Sequence, residues 1–133
     1  MEAIYRELPA LFAAAFTAIL FIQSGLDKVT DWKGNLGWLT GHFAETPLSK
    51  LVPALLGTIT ILELATGILA AIGIIYFLFA GSTLVIFYSA ILGSGTLLAL
   101  FFGQRMAKDY PGAAVLVPYF LVMVALLYLT RPV

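Results

Sequence analysis

Two short polar segments bring together side chains whose types could do chemistry. The first is SGLDKVTDW, residues 24–32, which directly follows a long apolar run. Residues three or four positions apart share one face of a helix, so Ser24 lies beside Asp27 and Lys28. By the same spacing, Gln23 lies beside Asp27. This group of a hydroxyl, an amide and opposite charges can bind a polar head group, or it can lock helix ends together through ion pairs.

The second polar segment is GQRMAKDYPGAA, residues 103–114. If the preceding helix continues through it, Gln104 shares a face with Lys108, and Arg105 shares a face with Asp109. Helices that end on the same side of a membrane can bring the two polar segments into contact. The pairs expected first are Lys28 with Asp109 and Arg105 with Asp27.

Glu63 is a single acid inside an apolar stretch that begins at Leu51. At a rise of ~1.5 Å per residue it lies ~18 Å into a helix, close to the middle of a membrane. An ionised carboxylate there costs ~2.5–3.5 kcal/mol on insertion scales, so such acids face the bundle interior and have a partner. Glu63 is therefore either a site for a ligand head group or proton, or a structural contact between helices. The candidate partners are Ser24, Gln23, Tyr88 and Arg105.

The composition of the chain indicates which secondary-structure elements position these polar groups. Of the 133 residues, 62% are hydrophobic and 11% are charged, whereas soluble domains contain about 25% charged residues. This indicates an integral membrane protein. Four segments approach the ~20 apolar residues that a membrane helix needs, and they are residues 8–28, 51–72, 75–102 and 113–130. The predicted fold is all-α, a single-domain four-helix bundle over residues 1–133.

The segments between these spans differ in polarity. The first loop carries Trp32 and Trp38, which predicts a short interfacial helix at the head-group level; an ordinary solvated loop is the alternative. The second link is apolar, and Gly73 is its clearest break signal. In the third span, the segment GSG at residues 93–95 and the heptad spacing of Gly81, Tyr88 and Gly95 predict close approach of a neighbouring helix; a gate or ligand slot is the alternative.

Charge distribution predicts an orientation. The two polar loops lie on one side and carry five of the seven Lys and Arg residues, while the terminal side carries two. Under the positive-inside rule the polar loops are cytoplasmic. Glu2 and Glu7 do not fit a cleavable signal peptide, so the first span is expected to stay in the mature protein.

Several functions are excluded by what the sequence lacks. With a formal net charge of zero, the chain has no basic face for nucleic acid. There is no cysteine, and His42 is the only histidine. Thiol chemistry, an iron–sulfur cluster and a multi-histidine metal site are therefore not expected from this chain. No metal, covalently bound cofactor or catalytic residue is assigned, a stand-alone enzyme is not predicted, and His42 is interpreted as a polar loop residue.

The segments FIQSGLDKVTDW, PALLGTITILELATGILAAIG and GQRMAKDYPGAA, in this order, resemble the DoxX family of small four-helix bacterial inner-membrane proteins. The resemblance covers essentially the whole chain. It implies functional polar residues on the first three spans and a link to redox metabolism, since the family's name comes from a membrane subunit associated with quinone-coupled thiosulfate oxidation. The residues carried over are Ser24, Gly25, Lys28, Glu63, Gly67, Gln104, Arg105, Asp109 and Tyr110.

Two functional hypotheses remain open. In the first, a quinone or another hydrophobic molecule binds in a cavity near the polar face, with Glu63 as a proton donor. The ring carbonyls of the quinone would accept hydrogen bonds from Lys28, Arg105, Gln104 or Tyr110. In the second, the protein is a non-enzymatic accessory or assembly subunit that docks on a larger membrane complex, and the polar cluster is a clamp. A homodimer through small-residue faces is a further alternative, and a transporter has less support.

Overall fold

The computed structural model describes residues 2–132 and is built from helices. Four helices are long and apolar enough to cross a membrane. They are α2 (Leu8–Thr30), α4 (Val52–Ala80), α5 (Leu84–Met106) and α6 (Tyr110–Thr130). Two shorter helices, α1 (Glu2–Arg6) and α3 (Trp32–His42), and a single 3₁₀ turn (Ser49–Leu51) complete the chain. The predicted all-α four-helix membrane bundle, with a helix in its first loop, is confirmed.

The four long helices form an up-and-down bundle. Helix α2 packs mainly on α4, α4 on α5 and α5 on α6, and α6 returns to α2. Proline lies in the first turn of α2, α4 and α6, where its missing N–H costs nothing. The C-termini of α2 and α5, the N-termini of α4 and α6, and helix α3 share one end of the bundle, here called the loop end.

The link between α4 and α5 lies later in the chain than the sequence predicted. Helix α4 continues through Gly73 to Ala80 and closes at Gly81, whose φ of 73° is the left-handed conformation favoured at helix ends. Gly73 is instead a packing position, because a Cβ atom there would lie 2.8 Å from the backbone nitrogen of Ile86. Gly73 thus marks a helix contact, and the helix end is at Gly81.

Helices α2 and α4 approach closely enough that only glycine fits. A Cβ atom on Gly67 would lie 2.8 Å from the Ile22 nitrogen and 3.1 Å from the Ala18 oxygen, both of them backbone atoms. A Cβ atom on Gly25 would lie 2.6 Å from Cγ of Leu64. These contacts fix the register of α2 on α4, and this register determines which side chains lie at the same level.

The predicted close packing of the third span is confirmed at Gly93 of the GSG segment and wrong for the heptad. Gly81 lies outside α5, Tyr88 is 50% exposed, and a Cβ atom on Gly95 would meet nothing within 4 Å. The glycine of α5 that does pack closely is Gly93, where a Cβ atom would lie 2.8 Å from the sulfur of Met123. The heptad spacing therefore marks an outward face of α5.

Buried hydroxyl groups in the bundle are satisfied within their own helices. Each donates to a backbone carbonyl one turn earlier, and the residues are Thr17, Thr60, Thr66, Ser89, Thr96 and Thr130. These hydroxyl groups therefore need no partner across the bundle, whereas the buried Ser94 Oγ has no hydrogen-bond partner among the described residues. Among residues 2–132, Glu63 is then the only buried charged residue, and its contacts have to come from another helix.

Candidate functional site

Glu63 forms a polar triad with Ser24 and Lys28 of α2. The Ser24 hydroxyl donates to Glu63 Oε2 at 2.5 Å, and Lys28 Nζ donates to Ser24 Oγ at 3.0 Å. Lys28 Nζ also lies 2.8 Å from Glu63 Oε1, in an ion pair. The Glu63 side chain is 3% exposed and that of Lys28 is 18% exposed. The triad is thus a buried ion pair bridged by a hydroxyl.

The triad forms because the register of α2 on α4 places Glu63 opposite one turn of α2. Ser24 and Lys28 are four residues apart and share a face, and Gly67, one turn further along α4, lets α2 approach. Ser24 lies six residues before the end of α2 at Thr30, or ~9 Å along the helix axis. Glu63 itself lies eleven residues past the start of α4 at Val52, or ~17 Å along that helix, in agreement with the predicted ~18 Å. It is within reach of the Lys28 side chain.

Both ion pairs expected from the sequence are wrong. Lys28 pairs with Glu63 instead of Asp109, and Asp27 and Arg105 are both exposed side chains with no ion pair to each other. The Arg105 guanidinium lies over the ring of Tyr110, 4.8 Å from its centroid. The expectation failed because Lys28 points down along α2 toward the buried acid rather than across the loops.

Of the candidate partners of Glu63, Ser24 is confirmed. Gln23 and Arg105 are exposed, and Tyr88 is 50% exposed on the outward face of α5, so none of the three contacts the acid. The partner that sequence reasoning missed is Lys28. The four-residue spacing from Ser24 was the available signal, since two side chains on one turn can contact one carboxylate.

A second polar group at the loop end, here called the His42 cluster, consists of His42, Gln104 and Asp109. His42 Nε2 lies 2.9 Å from Gln104 Oε1, where the ring N–H donates to the amide oxygen, and 3.6 Å from Asp109 Oδ2. Trp38 stacks on the imidazole with centroids 4.4 Å apart. The cluster ties α3 to α5 and to the start of α6, so His42 is a polar residue of the first loop that also joins this loop to the third one.

The chain between α5 and α6 explains why the expected four-residue pairs are absent there. Helix α5 ends at Met106, and Lys108 has a φ of 60°, so the helix does not continue to Asp109. Asp109 instead caps α6, because its Oδ1 accepts a hydrogen bond from the Gly112 N–H at 2.9 Å. The other carboxylate oxygen of Asp109 is left facing His42.

A cavity of about 300 Å³ lies at the loop end between α3, α4 and α5, and it is here called the α4–α5 cavity. Its walls are mainly apolar, with Leu39, Phe43, Leu55, Ile59, Leu100 and Phe102 among the lining residues. Two lining residues have polar ends, Lys28 from the triad and Gln104 from the His42 cluster. A volume of this size is at the lower end of the range of small-molecule sites.

Only some of the residues predicted from the sequence to bind a quinone line the α4–α5 cavity. Lys28 and Gln104 line it, whereas Arg105 and Tyr110 do not. Glu63 does not line it either and reaches it only through Lys28. The arrangement is one donor-rich ammonium group and one amide on an apolar surface, which suits a molecule that is apolar except for one or two hydrogen-bond acceptors.

Comparison of the chain with protein-family models, with curated proteins and with solved structures found no match. The resemblance to the DoxX family therefore stays a prediction that depends on the three quoted segments. The chemistry of the site follows from its own geometry: the polar triad, the His42 cluster and the α4–α5 cavity between them.

Proposed function

We propose that this protein is a DoxX-like, multi-pass protein of the bacterial inner membrane that binds a hydrophobic small molecule linked to quinone or redox metabolism. The observation that carries the proposal is the α4–α5 cavity, an apolar space of about 300 Å³ lined by Lys28 and Gln104. Apolar pockets with a few convergent polar groups are the usual form of small-molecule sites. The polar loops, on this proposal, face the cytoplasm.

A quinone fits the donor set of this cavity. Its ring carbonyls accept hydrogen bonds, and the ammonium of Lys28 and the amide of Gln104 are the groups that would hold them. A bound quinone supplies reversible two-electron, two-proton chemistry, which the chain's own side chains lack. Glu63 would act through the triad, since among the described residues its carboxylate has polar contacts with Ser24 and Lys28, and of these two Lys28 lines the cavity.

A second function has its own support. Each oxygen of the buried Glu63 carboxylate has a partner within the triad, Ser24 at Oε2 and Lys28 at Oε1, so the carboxylate needs no ligand. Such a closed group suits a clamp between α2 and α4 in a non-enzymatic accessory or assembly subunit of a larger membrane complex. Buried polar contacts fix one arrangement of helices more than they add stability, which is consistent with this role.

Native mass spectrometry of the protein, gently extracted from its own membrane, distinguishes the two functions. The test variant is Ala99→Trp, which places an indole in the α4–α5 cavity, because Ala99 is an exposed residue that lines it. The matched control is Ala54→Trp, since Ala54 is also exposed but is not a lining residue. We expect a small-molecule adduct on the wild type and on the control, and no adduct on Ala99→Trp.

An adduct that persists in Ala99→Trp would place the ligand outside the cavity and contradict the proposal. A larger membrane protein bound equally to all three forms, without any small molecule, would make the protein an accessory subunit.

A further inference from the structure

We infer that the head group bound in the α4–α5 cavity is an uncharged hydrogen-bond acceptor, and that the site selects against anionic amphiphiles of the same length. This inference rests on the proposed function and adds to it the charge of the ligand. It follows from how the charge and the donors of Lys28 are already used.

The charge of Lys28 is neutralised before any ligand arrives. Lys28 is the one charged side chain among the described residues that line the cavity. Its Nζ lies 2.8 Å from Glu63 Oε1, and the Glu63 side chain is 3% exposed, so water does little to screen the pair. The cavity therefore presents to a ligand an ion pair of zero net charge.

The hydrogen-bonding capacity of Lys28 is not used up. An ammonium group has three N–H donors. One makes a 3.0 Å hydrogen bond to Ser24 Oγ, and a second faces Glu63 Oε1 at 2.8 Å. The third is left with only the Ser24 carbonyl at 3.5 Å, which is beyond the usual range. Since the side chain is 18% exposed and lines the cavity, a donor is available to a carbonyl or ether oxygen there.

An anionic head group would break this balance. A carboxylate or phosphate bound at Lys28 would place a second negative charge beside Glu63 in a largely apolar environment, where like charges repel more strongly than in water. To bind, it would have to displace Glu63 and leave a buried carboxylate without its counter-ion. A neutral acceptor leaves the ion pair intact. The triad therefore discriminates between ligands by the charge of their head groups.

The matched probes are 2-undecanone and undecanoate. They have the same number of carbon atoms, and the head group is a ketone in the first and a carboxylate in the second. The full-length protein in non-ionic detergent micelles is titrated with each probe, and bound adducts are counted by native mass spectrometry. Ala99→Trp, with its cavity filled, gives the background for each probe. We expect the wild type to bind 2-undecanone at least about ten-fold more tightly than undecanoate, a difference of one decade in Kd.

Glu63→Gln supplies the sharper result. The amide keeps a contact for Ser24 but leaves the charge of Lys28 without a counter-ion. We expect the preference to invert, with undecanoate binding more tightly than 2-undecanone. If this variant does not fold, the wild-type comparison alone decides the matter.

Equal or tighter binding of undecanoate to the wild type would overturn the inference and leave the proposed ligand site standing. Binding of both probes at the Ala99→Trp background would overturn the proposed function as well.

Discussion

Glu63 is held by two side chains from a single turn of α2, Ser24 and Lys28, with no contribution from the loops. A buried ion pair of this kind adds little stability compared with apolar residues of the same size, because both charges lose their hydration. Removing only one of the two charged residues is costly, because the other charge then stays buried and unpaired. The triad is thus better explained by what it fixes or binds than by the energy it contributes.

Lys28→Met is predicted to destabilise the protein more than the double variant with Glu63→Leu. The single change leaves the Glu63 carboxylate buried without its counter-ion and should lower the free energy of unfolding by about 3 kcal/mol. The double change removes both charges and should recover stability to within about 1 kcal/mol of the wild type. Unfolding by sodium dodecyl sulfate in mixed micelles, followed by circular dichroism, measures these differences.

Ser24→Ala is the matched control for this comparison, because it removes one hydrogen bond and keeps both charges. It should lower the free energy of unfolding by about 1 kcal/mol. If the double variant is as unstable as Lys28→Met alone, the two charges are not coupled and the triad is not an ion pair.

At the level of elements, the contact of α2 with α4 decides the position of the triad. Sequence reasoning could find Glu63, because an intramembrane acid needs a partner, and it could place Ser24 among the candidates. It missed Lys28, although the four-residue spacing from Ser24 was an available signal, and Gly67, one turn from Glu63, sets the helix register through close backbone packing. It could not find the partners of His42, because they depend on where α5 ends. The left-handed link at Lys108 determines that end, and it is not a pattern of period 3.6.

Gly67→Ala is predicted to weaken the contact between α2 and α4. The new methyl group would meet the Ile22 nitrogen and the Ala18 oxygen, which are backbone atoms and cannot turn aside. Overpacking of this kind should lower the free energy of unfolding by about 2 kcal/mol. The control is Gly95→Ala, where nothing lies within 4 Å of the added atom, and its stability should match or exceed that of the wild type. Equal losses in the two variants would show that close packing at Gly67 is not the cause, since the higher helix propensity of alanine can only favour both variants.

At the scale of the whole molecule, the candidate site and most of the charged side chains lie at one end of the bundle. The polar triad, the His42 cluster and the α4–α5 cavity all lie at the loop end. The four spans and this polar end were predictable from apolar length and the placement of charge, since both follow from the membrane as a solvent. The cavity was expected only through the resemblance, because cavities depend on how side chains of several helices fill the space between them.

The membrane orientation is a further property of the whole molecule, and the ion pair changes the number of unpaired cations from which it is predicted. The loop end carries Lys28, Lys33, Lys50, Arg105 and Lys108, against Arg6 and Arg131 at the other end. Lys28 is neutralised by Glu63, which leaves four cations against two. This bias still predicts a cytoplasmic loop end.

Single cysteines test that orientation cleanly, because the chain contains none. Thr40→Cys lies at the loop end and Ala3→Cys at the other end; both positions are exposed, and neither change alters a charge. In intact spheroplasts a membrane-impermeant maleimide should label Ala3→Cys and should label Thr40→Cys only after permeabilisation. Labelling of both in permeabilised cells is the control for reactivity. The reverse pattern would place the loop end outside and show that cations kept at a site, rather than the positive-inside rule, produce the charge bias.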